Sequence, residues 1–380
     1  MHPSEQIDPT LSNVENAKRL GVSETTIRRW KKKKKQAPFN NIPPAIVTSR
    51  GTSLRLPDGS WEKITYRPQD LAAHKYQETA FEDIRRQIES WPTQQQQHNN
   101  NNTPHHTTTT TTPTLVISLA DFQIGKTDYL GGTPELLARV QDVFNQIEHT
   151  LTTNPNPQPY NEIVLVDNGD VLEGFSNTIQ QQQTNDLSLT DQLRTAQAVI
   201  LDALVRFQKY TPKLTYVAVP SNHCQVRASA SNKAIANAPN DDFGLLVQEN
   251  LEPHFPDITF IRPSKWEESV THTTQDGTVL GVTHGHLAPN ADKVGEWFAK
   301  QAFGRRSNLQ NADILLHGHF HAFRISLTGD NRFVVCAPTM DSGSSWYTNK
   351  QGSSTLPAML TFETYDHRPS NWWLYYPTLT

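Results

Sequence analysis

Between residues 115 and 219 the sequence alternates short apolar runs with long helical ones, an order that few folds accommodate. Residues 115–120, 163–167 and 214–219 have strand length and apolar character, whereas 135–151 and 191–210 read as helices. The order βαβαβ predicts a sheet covered by helices on both faces. Further strands are expected at 258–261, 279–283, 314–316, 333–337 and 359–363. A four-layer α/β/β/α sandwich, of the α/β class, has room for all of them.

At 380 residues the chain is too long for one ordinary domain. Residues 93–113, TQQQQHNNNNTPHHTTTTTTP, contain no aliphatic or aromatic side chain to offset the entropy of ordering the backbone, so a disordered polar linker is expected there. His105 and His106 within it read as composition drift rather than as metal ligands. The tract would separate a main domain, 114–380, from two smaller pieces. Residues 37–92 suggest a hairpin around Pro57-Asp58-Gly59 followed by helical spacing over 70–91, with no function attached. Two cysteines, Cys224 and Cys336, are too few for a disulfide framework, and a reducing, cytoplasmic setting is expected. Neither a signal pattern nor an apolar run of the roughly 18 to 20 residues a membrane helix needs is present.

The net charge of −4 conceals an asymmetry, because residues 1–92 carry 16 Lys and Arg against 11 Asp and Glu. Within 18–35 there are nine basic residues against one acid, Glu24. That is where a polyanion would be drawn. Over 15–30, ENAKRLGVSETTIRRW, Ala17, Leu20, Val22 and Ile27 are spaced for one helix ending near Gly21 and a second starting after Ser23, an N-cap residue. The pattern resembles the small helix-turn-helix modules of bacterial and phage DNA-binding proteins, whose second helix enters the major groove. Residues 1–36 are assigned to such a module, with Thr25, Thr26, Arg28, Arg29 and Lys31 as its DNA contacts.

In open α/β sheets, ligands bind beyond the carboxyl ends of the strands. The polar residues of 114–380 sit there: Asp121-Phe122-Gln123, Asn168-Gly169-Asp170, Ser221-Asn222-His223, His284-Gly285-His286 and Gly318-His319-Phe320-His321. Each alone is a weak signal, since a single Gly-His or Gly-Asp is more often a turn. Together, oxygen and imidazole donors from five loops suffice for two adjacent metals sharing one carboxylate.

This series resembles the calcineurin-like metallophosphoesterases, whose pattern is D-x-H, G-D, N-H-D/E, H and G-H-x-H in that order. The resemblance covers 114–380 and implies that Asp121, Asp170 and His321, with Gln123, hold a first metal. It implies that Asp170 bridges to a second, held by Asn222, His284 and His319, and that His223 acts on the leaving group while Asp170 serves catalysis as the bridge. Two divalent ions are implied, Mn²⁺ foremost, with Mg²⁺, Fe²⁺ or Zn²⁺ as alternatives. The chain departs from the pattern twice. Gln123 stands where the family has His, a weaker and harder donor, and Cys224 stands where the family has the acid that orients the His223 equivalent.

The ligand set does not select among phosphomonoesters, cyclic nucleotides and nucleic acid. Residues 296–306 and 312–321, with Asp341-Ser342-Gly343-Ser344-Ser345-Trp346, resemble phage and prophage members of the double-strand-break exonuclease type. Arg227, Arg305, Arg306 and His286 are the candidate phosphate contacts. The expectation is a DNA exo- or endonuclease tethered by its N-terminal module, with DNA as partner and homodimerisation left open. The alternatives are a small-molecule phosphatase or cyclic nucleotide phosphodiesterase, and a non-catalytic DNA-binding adaptor.

Overall fold

The computed structural model describes residues 11–26, 52–55, 61–64, 112–156, 159–175, 182–228, 233–234, 238–304, 308–352 and 354–378. Residues 93–111 of the expected linker, 93–113, and the helical spacing over 70–91 lie outside them. The chain divides into two units, Met1–Thr48 and Ser49–Thr380.

In the first unit, helix α1 (Asn13–Leu20) opens on a capping box in which Ser12 and Glu15 satisfy each other's backbone N–H groups. It closes at Gly21, whose left-handed φ of 63° is the usual helix stop. The chain turns helical again after Ser23, whose hydroxyl accepts from the Thr26 N–H at 3.1 Å. Thr25 is exposed. Arg28, Arg29 and Lys31 fall outside the described residues.

The second unit includes an antiparallel pair, β1 (Thr52–Arg55) and β2 (Trp61–Ile64); Pro57-Asp58-Gly59, the expected turn, lies outside the described residues. The body is two sheets. The strands, in chain order, are β3 (Thr114–Ser118), β4 (Glu162–Asp167), β5 (Leu214–Ala218), a short pair β6 (Arg227–Ala228) and β7 (Lys233–Ala234), β8 (Thr259–Ile261), β9 (Ser269–Thr273), β10 (Val279–Thr283), β11 (Ile314–His317), β12 (Arg324–Thr328), β13 (Arg332–Cys336), β14 (Met359–Tyr365) and β15 (Arg368–Tyr375). The first sheet runs β15-β14-β3-β4-β5-β8, with β3, β4, β5 and β8 parallel. The second runs β12-β13-β11-β10-β9, parallel over β10, β11 and β13, with antiparallel edges.

Alternation along each strand decides what covers each face. Leu115, Ile117, Ile163, Leu165 and Tyr216 pack under α2 (Thr133–Thr153), α3 (Leu189–Phe207) and α4 (Phe243–Leu251). Their neighbours Val116, Val164, Val166 and Val217 point the other way and meet Leu280, Val282, Ile314, Leu316 and Val335 of the second sheet. The expectation of helices on both faces of the first sheet is thereby corrected. One face carries helices and the other carries a sheet, because valine-rich strands buried on both sides fit either cover. Helix α5 (Val294–Gly304) closes the fourth layer through Val294 and Phe298, over Leu315 and Val334. The α/β/β/α order stands. A short α6 (Ser345–Gln351) follows β13. Among the described residues no helix is long and apolar enough to cross a membrane.

Candidate metal centre

The parallel cores of both sheets deliver their carboxyl ends to one place, and the loops after β3, β4, β5, β10, β11 and β13 meet there. Among the described residues nine non-glycine residues have positive φ, and five of them are Asp121, Gln123, Asp170, His319 and His321. Such conformations cost about 1–3 kcal/mol each and persist where surrounding structure enforces them. Here they bend the strand ends so that successive side chains turn inward. Two glycines allow the backbone to follow. Gly169 has φ 90°, and a β-carbon there would lie 2.6 Å from Ser221 Cβ and 2.9 Å from His284 Nδ1. A β-carbon on Gly318 would lie 2.3 Å from Asp121 Oδ2.

Asp170 is the centre of one cluster. Its own N–H donates to Ser221 Oγ at 2.8 Å, and its Oδ1 accepts from the His223 N–H at 2.8 Å. Its Oδ2 is buried and accepts no well-directed hydrogen bond, although His284 Nε2 lies 3.0 Å away. His284 Nδ1 sits 2.8 Å from the Asn168 carbonyl, which assigns the proton to Nδ1 and aims Nε2 at Asp170 and at Asn222 Oδ1, 2.9 Å off. His319 completes the group: donor atoms of Asp170, His284 and His319 all lie within 4.8 Å of one another. Burial, reinforced by the neighbouring His284, pushes His319 down to about 3, so its imidazole is neutral and has a lone pair to give. Burial also opposes charge on His284, yet the Asp170 and Asp121 carboxylates outweigh it and raise that group to about 9. Three donors within 4.8 Å of one another, with Asn222 Oδ1 against one of them and a buried carboxylate oxygen that accepts no directed hydrogen bond, fit a divalent cation.

The neighbouring cluster is built differently. Asp121 is fully buried; both its oxygens accept from the His319 N–H at 3.0–3.1 Å, and His321 Nε2 lies 3.4 Å from Oδ1. His321 Nδ1 is 3.3 Å from Asp341 Oδ2. Burial opposes its charge, but the two carboxylates outweigh burial and raise His321 to about 10. Lys126 enters the same space. Its Nζ donates to Gln123 Oε1 at 2.6 Å and to Asp341 Oδ2 at 2.5 Å. That contact fixes the Gln123 amide, whose nitrogen faces His223 Nε2 at 3.4 Å.

His223 is held on its other side by Glu173. Its Nδ1 lies 3.1 Å from the Glu173 carbonyl and 3.2 Å from its carboxylate. Burial lowers the imidazole's basicity, but Asp170 and Glu173 outweigh it and raise the group above its ordinary value. The orienting acid missing at Cys224 is therefore supplied by Glu173. Cys224 itself is buried among the core side chains, and burial pushes its thiol well up.

His286 stands beside the centre, its ring 5.4 Å from that of His284 and its Nε2 3.9 Å from Glu268. Arg227 lies on β6, and its side chain is outside the description, as are Arg305 and Arg306. The structure thus gathers Asp121, Gln123, Asp170, Asn222, His223, His284, His286, His319 and His321. Sequence reasoning missed Lys126 and Glu173, and quoted Asp341 only as part of a motif. The first two follow Gln123 and Asp170 by three residues, the reach of a tight turn, and Lys126 N–H closes such a turn onto the Gln123 carbonyl at 3.0 Å. Arg139 positions Asp341 by donating to its carbonyl and to those of Met340 and Leu130 at 2.8–3.3 Å.

No protein-family model and no curated protein matches the sequence. Among solved structures, Vps29 of Chaetomium thermophilum is 9% identical, with 70% of this chain and 98% of that one covered and a TM-score of 0.30. A phosphopantetheinyl hydrolase of Mycobacterium tuberculosis is 14% identical, covering 65% of this chain and 97% of that one at a TM-score of 0.28. A dimetal phosphatase of Danio rerio is 8% identical, covering 70% and 99% at 0.33. Likeness at these scores assigns no chemistry to the chain, whose own residues carry the functional argument.

Proposed function

We propose that this chain is a metal-dependent phosphodiesterase of the calcineurin-like kind acting on DNA. The observation that carries the reading is the grouping of Asp170, His284 and His319, with Asn222 Oδ1 against His284, beside a histidine held by Glu173. A divalent cation bound there would supply Lewis acidity toward a phosphoryl oxygen and activate the attacking water. His223 would stand ready to protonate the departing alkoxide, its ring orientation fixed by Glu173 at Nδ1. Asn168 and Ser221 keep the ligands in register, the former through the His284 proton and the latter through the Asp170 N–H. Mixed nitrogen and oxygen donors suit Mn²⁺, Fe²⁺ or Zn²⁺ better than Mg²⁺.

DNA as the substrate rests on the sequence: the basic stretch over 18–35, the helix-turn-helix pattern and the exonuclease-like motifs. The test uses the full chain and a charge-reversed variant, Arg28→Glu, Arg29→Glu and Lys31→Glu. The variant is expected to bind duplex more weakly, with the slope of log affinity against log salt reduced by about 3, one per lost phosphate contact. Both proteins should turn over bis-p-nitrophenyl phosphate at equal rates. Cleavage of plasmid and labelled duplex is expected of the unaltered chain. Turnover of phosphomonoesters with intact duplex would favour the small-molecule alternative, and equal duplex affinity of the two proteins would contradict the tether.

A further inference from the structure

The two halves of the centre differ in one respect that the ligand pattern conceals. At Asp170, His284 and His319 donor atoms lie within 4.8 Å of one another, with Asn222 Oδ1 2.9 Å from His284 Nε2, and no lysine or arginine is among them. At Asp121, Gln123, His321 and Asp341 a protein cation is already in place. The Lys126 ammonium binds the Gln123 carbonyl oxygen and the Asp341 carboxylate, with its side chain only 13% exposed. The same Asp341 oxygen lies 3.3 Å from His321, whose other nitrogen faces Asp121. Carboxylate, amide oxygen and imidazole are thus joined through a protein cation. A hard cation on Gln123 Oε1, at the usual bond of about 2.0–2.2 Å, would stand within about 5 Å of the ammonium. Like charges at that separation, among side chains that are mostly buried, repel strongly. The donor set therefore does not fit a second ion.

We propose that this chain binds a single divalent cation, at Asp170, Asn222, His284 and His319, and that the Lys126 ammonium stands in for the other. The inference rests on the metallophosphoesterase reading above and departs from the two-ion expectation. It also gives Gln123 its role. The amide accepts from Lys126 with its oxygen and turns its nitrogen to His223.

The test is stoichiometry, read on the full chain stripped by chelation and titrated with Mn²⁺ alone, by calorimetry and by electron paramagnetic resonance. The unaltered protein is expected to take up one equivalent with the six-line spectrum of an isolated ion. His319→Ala should abolish uptake and His321→Ala should retain it. Lys126→Ala combined with Gln123→His should admit a second equivalent and a spin-coupled spectrum, while Lys126→Arg stays at one. Two equivalents and a coupled spectrum in the unaltered protein would overturn the proposal. So would a double variant that is folded by circular dichroism yet still binds one. Hydrolysis is scored separately on bis-p-nitrophenyl phosphate. One ion bound without turnover supports the stoichiometry and refutes the functional reading, whereas two ions with turnover do the reverse.

Discussion

Asp170→Asn is expected to abolish stoichiometric cation uptake and to lower kcat/KM by at least roughly 10³, a loss of about 4 kcal/mol in transition-state stabilisation. The substitution is chosen because asparagine tolerates the left-handed backbone, φ 53°, that Asp170 adopts. It can also keep the 2.8 Å bond from the His223 N–H through its amide oxygen. What it removes is charge. Burial alone would push Asp170 toward protonation, but His284 and His223 hold its carboxylate well below the ordinary range. That ionised oxygen is the one left without a directed hydrogen bond. Metal analysis and turnover, with circular dichroism as a control for folding, check the result. Full cation content in the variant would remove Asp170 from the ligand set.

His223→Ala should behave in the opposite way, leaving cation content nearly unchanged while cutting turnover by roughly 10² to 10⁴, the usual worth of a positioned proton donor. The expectation follows from position: the ring lies 3.9 Å from Asp170 Oδ2 and is claimed on its far side by Glu173. A companion variant gives the sign of the pH effect. The Glu173 carboxylate helps to raise the imidazole's pKa, so Glu173→Gln should lower it. A general acid works in its protonated form. The alkaline limb of the kcat profile should therefore move to lower pH in Glu173→Gln and vanish in His223→Ala. A profile unchanged in both would leave His223 no part in proton transfer.

The parts of the architecture that could be read from the sequence are those fully specified by local pattern. The runs over β3, β4, β5, β10, β11, β13 and β14 are strand-length, apolar and bounded by turn residues, and each falls on an observed strand within a residue or two. The edge strands β9, β12 and β15 were not legible. SVTHT, RISLT and RPSNWWLY mix polar residues into strands that owe their form to a neighbour's ladder rather than to their own burial. Which face of the first sheet meets the second, over Val116, Val164 and Val166, was legible only from the four-layer order, because an apolar strand face does not announce what will cover it. At the site, ordered motifs located the residues with intrinsic metal affinity. Lys126 and Glu173 escaped because lysine and glutamate in a loop are ordinarily solvated; here a tight turn brings Lys126 to Gln123, and pairing of the Glu173 N–H with the Ile124 carbonyl sets Glu173 against His223.

The central claim is that phosphodiester hydrolysis depends on a cation held by Asp170, Asn222, His284 and His319. Its most direct test is a titration of the chelator-stripped full chain with Mn²⁺, following ion binding and bis-p-nitrophenyl phosphate hydrolysis in the same samples. The account predicts no turnover without the ion, a rate that rises in proportion to occupancy of that site, and loss of both in His319→Ala. Hydrolysis that persists in the stripped protein, or an occupied site with no hydrolysis of any phosphoester, would contradict it.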